Sequence, residues 1–335
     1  MAGGEERELR RRIRSVGATR KITRAMELIA ASEMTRAQGR IAGSRPYVQG
    51  IEKVLAATAG EAVGAGRFLG RPEQVDQALL VAIVSDRGLA GGYNNNVLRT
   101  ALRHVREHER DGTTYRLVTI GRKATSFFTF NGRETLESYT KMTDRPTFAD
   151  ARRIAESIVA PFLGGEVGLV ELISTRFLSA GFQRVETRQL LPLPAEDDHA
   201  GGDRSGSTTG HRDGVPGGDR HDEEAAPHLA LYEFEPGPEE LLQLLVPQYA
   251  EAVLYQALLE ASASEHTARQ RAMASATENA DELMTTYRRA MNRARQESIT
   301  TEIMEIVGGA EALRHSRSSD RGRSDLGDAL EERTA

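Results

Sequence analysis

The sequence predicts an α/β domain with a largely parallel sheet, set between two long helices that pair with each other. Three observations predict it. Short β-rich runs alternate with helical stretches through the middle of the chain. The segment from Glu239 to Val307 contains no glycine and a single proline, Pro247. The N-terminal segment carries one narrow apolar stripe at helical spacing.

The first helix is read over residues 5–59. Its apolar positions are Ile22, Met26, Ile29, Met34, Ala37, Ile41, Val48, Ile51 and Leu55, at steps mostly of three and four, with Arg and Glu on the other faces. Pro46 has no amide to donate and crowds the preceding turn, so it should bend or restart the helix. The C-terminal helix carries a seam of Leu254, Leu258, Ala261, Ala268, Ala272, Ala276, Ala280, Leu283, Tyr287, Ala290 and Ala294. About sixty such residues make a rod of about 90 Å. With so few apolar residues the rod must pair with another helix, and its alanines favour close backbone approach.

Between the rods, strands are expected at "ALLVAIV" (78–84), "YRLVTIG" (115–121) and "VGLVELIST" (167–175), with a further one in "FQRVETRQLLPL" (182–193). Helices are expected near 93–110, 122–130 and 147–163. The segment 195–228 is rich in Gly, Asp and Ser and has no apolar periodicity, so it reads as a disordered acidic insertion. Residues 314–335 read as a polar tail. The resulting division is 1–60, 75–194, 195–228, 229–313 and 314–335.

Composition excludes several classes. With no cysteine there is neither a disulfide framework nor a thiolate metal site. No apolar run reaches the roughly 18 residues that span a bilayer, and the N-terminus lacks a signal-peptide core, so a protein that is not exported is expected. The net charge of -5 implies no particular partner. It is unevenly spread: residues 1–60 hold twelve Lys/Arg against six Asp/Glu, and residues 195–228 hold three Arg against nine Asp/Glu.

The turn "SDRGLAGGYNNN" (85–96) stands where a buried strand becomes a helix, the setting of many phosphate cradles. It lacks the Lys and Ser/Thr of a P-loop and the spacing of a dinucleotide fingerprint. Steric use of its glycines is the competing reading. His199, His211, His221 and His228 sit in the insertion at spacings that fit no tetrahedral metal motif. The basic run from Arg7 to Arg24 has no interleaved aromatics, so a solvated or protein-facing surface is expected there rather than nucleic acid. No local catalytic constellation is present.

Several separated motifs, in order, carry a resemblance. "IRSVGATRKITRAMELIAASEMTRAQ" (13–38), the glycine turn, "LLPLP", "LYEFEP", "RQRAMASATENADELM" and "RARQESITTEIMEIVGGAEAL" resemble the gamma subunit of bacterial F-type ATP synthases. The family usually has Cys where Ala90 stands. The resemblance implies a Rossmann-like α/β domain and an antiparallel coiled coil of the terminal helices. It implies a non-catalytic rotor shaft of a proton-translocating synthase, coupling c-ring rotation to ATP synthesis or hydrolysis. The implied partners are the alpha and beta subunits of the catalytic ring, the epsilon subunit and the c-ring. The implied place is the cytoplasmic face of the bacterial cell membrane, held there through the complex. No cofactor is implied, since the nucleotides bind on alpha and beta, and no nucleic acid is implied. On this reading the glycine turn holds a domain together. Carried over by position, Lys21, Arg24, Met26, Arg269, Gln296, Thr300 and Glu302 are expected rotor–stator contacts. Phe234 and Glu235 are expected to meet epsilon or the c-ring. The insertion is longer, and the tail runs further, than the family pattern. The family's C-terminal end lies inside an apolar bearing of the ring. The outer faces of the shaft are expected to be polar and of mixed charge. The rival readings are a nucleotide-binding α/β enzyme with a coiled-coil appendage and a coiled-coil nucleic-acid binder.

Overall fold

The computed structural model describes residues 2–61, 68–70, 72, 75–194 and 237–331. The elements run α1 (Ala2–Glu61), β1 (Gln77–Ile83), α2 (Tyr93–Arg110), β2 (Thr114–Ile120), α3 (Arg122–Phe130), β3 (Glu137–Tyr139), α4 (Phe148–Leu163), β4 (Leu169–Phe177), β5 (Gln183–Leu191) and α5 (Pro238–Glu331). The chain divides into two compact units, Met1–Met26 with Met273–Ala335, and Glu27–Ala272.

The larger unit is the α/β domain. Its five strands lie in the order β3-β2-β1-β4-β5. The first four are parallel, and β5 runs antiparallel to β4. After its first residue, Gln77, the central strand β1 is apolar and buried because helices cover both faces of the sheet. One face packs Leu80, Val97, Ala101 and Phe128, bringing α2 and α3 onto it. The other packs Leu79, Ile154, Ile158 and Phe162 of β1 and α4 with Leu254 and Leu258 of α5 and Ile51 and Leu55 of α1. Each such side chain contributes about 1.5–3 kcal/mol by leaving water. Helix α4 begins at a capping box: the Thr147 hydroxyl accepts from the Asp150 amide, and the Asp150 carboxylate accepts from the Thr147 amide.

The smaller unit is a pair of antiparallel helices. Gly17 faces Met284, the Arg20 guanidinium meets Asp281 at 2.6 Å, and the Thr23 hydroxyl meets that of Thr277 at 2.8 Å. As numbers rise along α1 they fall along α5, which fixes the direction. The α5 seam here is Thr277, Ala280, Met284, Tyr287, Met291 and Ala294, alternating steps of three and four.

That seam corrects the expectation at Leu283 and Ala290, which are exposed. A seam drawn through alanine, leucine and Tyr287 passed over Thr277, whose hydroxyl is satisfied across the seam, and the two methionines. On α1 the same error is one residue wide. Ile22 and Ile29 are 60% and 63% exposed, while Thr23 and Ala30 are buried. The outer face is therefore not uniformly polar, contrary to expectation. Pro46 does not end α1, which is assigned helix continuously from 2 to 61. Likewise α5 continues from residue 313 through the segment read as a tail, to Glu331. The insertion 195–228, with its four histidines, lies outside the described residues, as do Phe234 and Glu235.

Candidate functional sites: the glycine turn and the end of the helix pair

In an open parallel sheet, ligands bind outside the carboxyl ends of the strands, where neighbouring connections leave in opposite directions. Here that point lies between β1 and β4, and the glycine turn follows β1. The turn is closed largely on itself. The Ser85 amide donates to Asn94 Oδ1 at 2.9 Å, and the Asn94 amide nitrogen donates to the Arg87 carbonyl at 3.4 Å. Asp86 accepts from the backbone amides of Arg122 at 3.0 Å and Lys141 at 2.8 Å, and from the Thr143 hydroxyl at 3.0 Å. Burial alone would raise the Asp86 pKa, but these donors outweigh it and leave it lowered. The carboxylate thus ties together three loops at the carboxyl ends of the strands.

The chain's own α5 also packs at this end of the sheet. Residues 257–267 are buried on every face, where Ala, Ser and Thr allow close packing and Glu260, Glu265 and His266 are buried with them. The Ser264 hydroxyl donates to the Thr175 carbonyl at 3.4 Å, near the end of β4, and the Ser262 hydroxyl to the Asp144 carbonyl at 3.0 Å. The Tyr93 hydroxyl donates to the Ala261 carbonyl at 3.1 Å. At Gly91, φ +55, an added Cβ would lie 3.9 Å from the Ala272 methyl.

Arg269 completes this contact. Only 7% exposed, it donates to Glu265 at 2.5 Å and reaches the Gly88 carbonyl at 3.4 Å. Burial pushes the Glu265 pKa up to about 7, against the pull of Arg269. Burial also lowers the pKa of the neighbouring His266, which lies near the Asp144 carbonyl. Of the residues assigned to outward contacts, Arg269 is the one placed inside the α/β domain.

Sequence reading missed Leu89. It has φ 62 and is 62% exposed. The left-handed region costs an L-residue about 1–2 kcal/mol. Leu89→Gly is therefore expected to raise unfolding stability by about 1 kcal/mol, read from the urea midpoint. An unchanged or lower midpoint would show that the leucine side chain itself stabilises the turn.

The other predicted residues are on the helix pair. Lys21 and Arg24 are exposed and, three apart, share a face of α1; Met26 is half-buried towards the seam. Gln296, Thr300 and Glu302 are exposed on α5. The Thr300 hydroxyl donates to the Gln296 carbonyl at 2.9 Å, and the Ser298 hydroxyl to Glu302 at 3.5 Å. Tyr287 pairs near Arg12; continued at the same pace, α1 runs out at Ala2 opposite about residue 297 of α5. Beyond that point Ile299, Ile303 and Ile306 form a stripe 49–72% exposed, widened by Met304 and Val307. Sequence reading had not singled out this bare apolar end. Among the described residues, no group of acidic and histidine side chains could hold a metal ion, and no helix is long and apolar enough to cross a membrane.

The comparisons decide the family. A family model described as ATP synthase matches residues 5–313. An ATP synthase gamma chain of Parafrankia sp. (strain EAN1pec) is 42% identical over 315 residues, covering 92% of this chain and 98% of that one. The chain belongs to the ATP synthase gamma chain family. A second family member, from Streptomyces coelicolor, is 38% identical over 320 residues, covering 93% and 97%. Among solved structures, a chain of the Euglena gracilis mitochondrial ATP synthase (OSCP/F1/c-ring, rotational state 3) aligns with a TM-score of 0.62 at 18% identity, covering 94% of this chain and 96% of that one. A chain of the Tetrahymena thermophila mitochondrial ATP synthase central stalk and c-ring gives 0.53 at 23% identity, covering 76% and 99%. At these identities the likeness is one of fold, and it extends to the long terminal helices. The sheet between them bears out the α/β reading, with β5 as an antiparallel addition.

Proposed function

We propose that the chain is the non-catalytic central rotor shaft of a proton-translocating F-type ATP synthase. It turns with the c-ring inside the ring of alpha and beta subunits, at the cytoplasmic face of a bacterial membrane, with epsilon beside its α/β domain. The observation that carries this reading is the antiparallel helix pair whose longer helix outlasts its partner and bares an apolar stripe. A globular enzyme has no use for such an end, whereas an apolar bearing fits it. The nucleotide-binding enzyme is the weaker reading: an open cleft remains between the glycine turn, Thr175 and α5, but the turn lacks the Lys and Ser/Thr of a P-loop, and Ser85 and Asn94 are bonded within it.

Lys21, Arg24 and Met26 on α1 and Gln296, Thr300 and Glu302 on α5 are the contacts assigned to the catalytic ring. Phe234 and Glu235 are assigned to epsilon or the c-ring. Arg269 acts from within the α/β domain, through the glycine turn. A contact that forms and breaks at each step must be modest, and a net hydrogen bond of about 0.5–1.5 kcal/mol has that size. The double variant Gln296→Ala/Thr300→Ala should keep the helix, since alanine is the better helix former. In the reconstituted complex it should lower ATP-driven proton pumping by about two- to tenfold while assembly holds. Pumping and hydrolysis that both match wild type would remove this face from the coupling surface.

A further inference from the structure

Helix α2 buries Val97, Leu98, Ala101 and Val105 against the sheet. On its outer side stand Arg99, Arg103, Arg106 and Arg110, all exposed. Their spacing of four, three and four places them on one narrow face. None has a hydrogen bond or ion pair among the described residues. The nearby carboxylate Glu109 is committed to Arg133, which donates to it at 2.7 Å. Glu107 lies beside the stripe, Glu109 also feels the Arg106 charge, and Asp111 follows Arg110, so the acids nearby cluster at the C-terminal end and leave Arg99 and Arg103 less balanced. Like charges three and four apart work against a helix, and exposed helices ordinarily interleave the two signs. Helix-dipole attraction accounts for Arg110 in the last turn, not for Arg99 or Arg103.

The complementary charge is in this chain. Residues 195–228 hold nine Asp/Glu against three Arg. They leave the domain at the same end of the sheet as the basic end of α2. Strand β5 ends at Leu191, opposite Val170 near the start of β4. Helix α2 ends at Arg110 and leads into β2, whose Thr114 is opposite Gln77, the first residue of β1. In the strand order, β5 and β2 are separated by three strand spacings, about 15 Å. Five residues of extended chain cover that distance.

We propose that the arginine face of α2 is a docking surface for this chain's own acidic segment 195–228. The contact is electrostatic and exposed, so it is weak per pair and sensitive to salt. It does not depend on the rotor reading and is tested on the purified full-length chain.

The absence of cysteine makes the test clean. In Glu107→Cys/Thr208→Cys, one thiol stands beside the stripe and the other in the acidic segment. Mild oxidation at about 50 mM salt should bridge them quickly. The rate should fall about tenfold with Arg103→Glu/Arg106→Glu in the same background, and similarly at about 0.5 M salt. Circular dichroism checks that the reversed chain, changed only at exposed positions, is folded. A bridging rate unmoved by charge reversal and by salt overturns the proposal. So does binding to phosphatidylserine vesicles that the reversal abolishes while bridging stays unchanged, which would make the stripe a lipid-facing surface.

Discussion

Arg269→Ala is expected to destabilise the α/β domain by about 3 kcal/mol at pH 8, measured by urea unfolding of the isolated chain. Removing one member of a buried ion pair strands the other, and Arg269 is the ion-pair partner of Glu265 among the described residues. The loss should depend on pH. Glu265 has a pKa of about 7 in the folded chain against an ordinary 4.5, so the folded state takes up its proton more readily than the unfolded state. Its contribution is fully present below about pH 4.5 and is lost as pH rises through about 7. Removing Arg269 raises that pKa further, so Arg269→Ala should be least damaging near pH 5.5, where Glu265 is neutral. Adding Glu265→Gln should recover much of the loss at pH 8, because no stranded charge remains. A loss below about 0.5 kcal/mol at pH 8 would mean that the pair is hydrated and does not hold α5 to the turn.

Gly121→Ala should be at least as harmful. Gly121 stands at the end of β2 with φ +97, and a methyl there would lie 2.1 Å from the Val84 carbonyl oxygen. Both obstacles are backbone: the conformation is open almost only to glycine, and the neighbour directly follows the central strand. A cost of about 3 kcal/mol or more is expected, with poor expression as its cellular form. Gly132 is the internal control. It too has a positive φ, +69, but nothing lies within 4 Å of its added methyl. Gly132→Ala should therefore cost only about 1 kcal/mol. Equal costs at the two positions would show that the close approach at Gly121 relaxes freely.

These two residues mark where the sequence stops being legible. The alternation of strands and helices could be read because β1, β2 and β4 are continuous apolar runs, and the helices between them have their own period. Strand β3 could not, since three residues carry no period and Glu137–Tyr139 is a strand only through its register with β2. The helix pair was legible as a pair, but its seam was misplaced by one residue. Threonine and alanine fill the buried side of α1 there, and isoleucine faces out. That inversion is itself informative: a seam of small residues lets the backbones approach, and the larger apolar groups are left exposed. The inward role of Arg269 had no local signal. Its partner carbonyl at Gly88 is 181 residues away, and only the packing of α5 at the end of the sheet brings them together. The bare stripe at Ile299, Ile303 and Ile306 was within reach of periodicity alone. Recognising it as unpaired required knowing where α1 ends.

Rotation tests the account most directly. A single cysteine at the exposed position Glu134, on the otherwise cysteine-free chain, can carry a fluorescent or bead label in the assembled complex immobilised through its catalytic ring. During ATP hydrolysis the label should turn in one direction, at a rate that follows turnover. A label that stays fixed while ATP is hydrolysed at the wild-type rate would contradict the rotor reading.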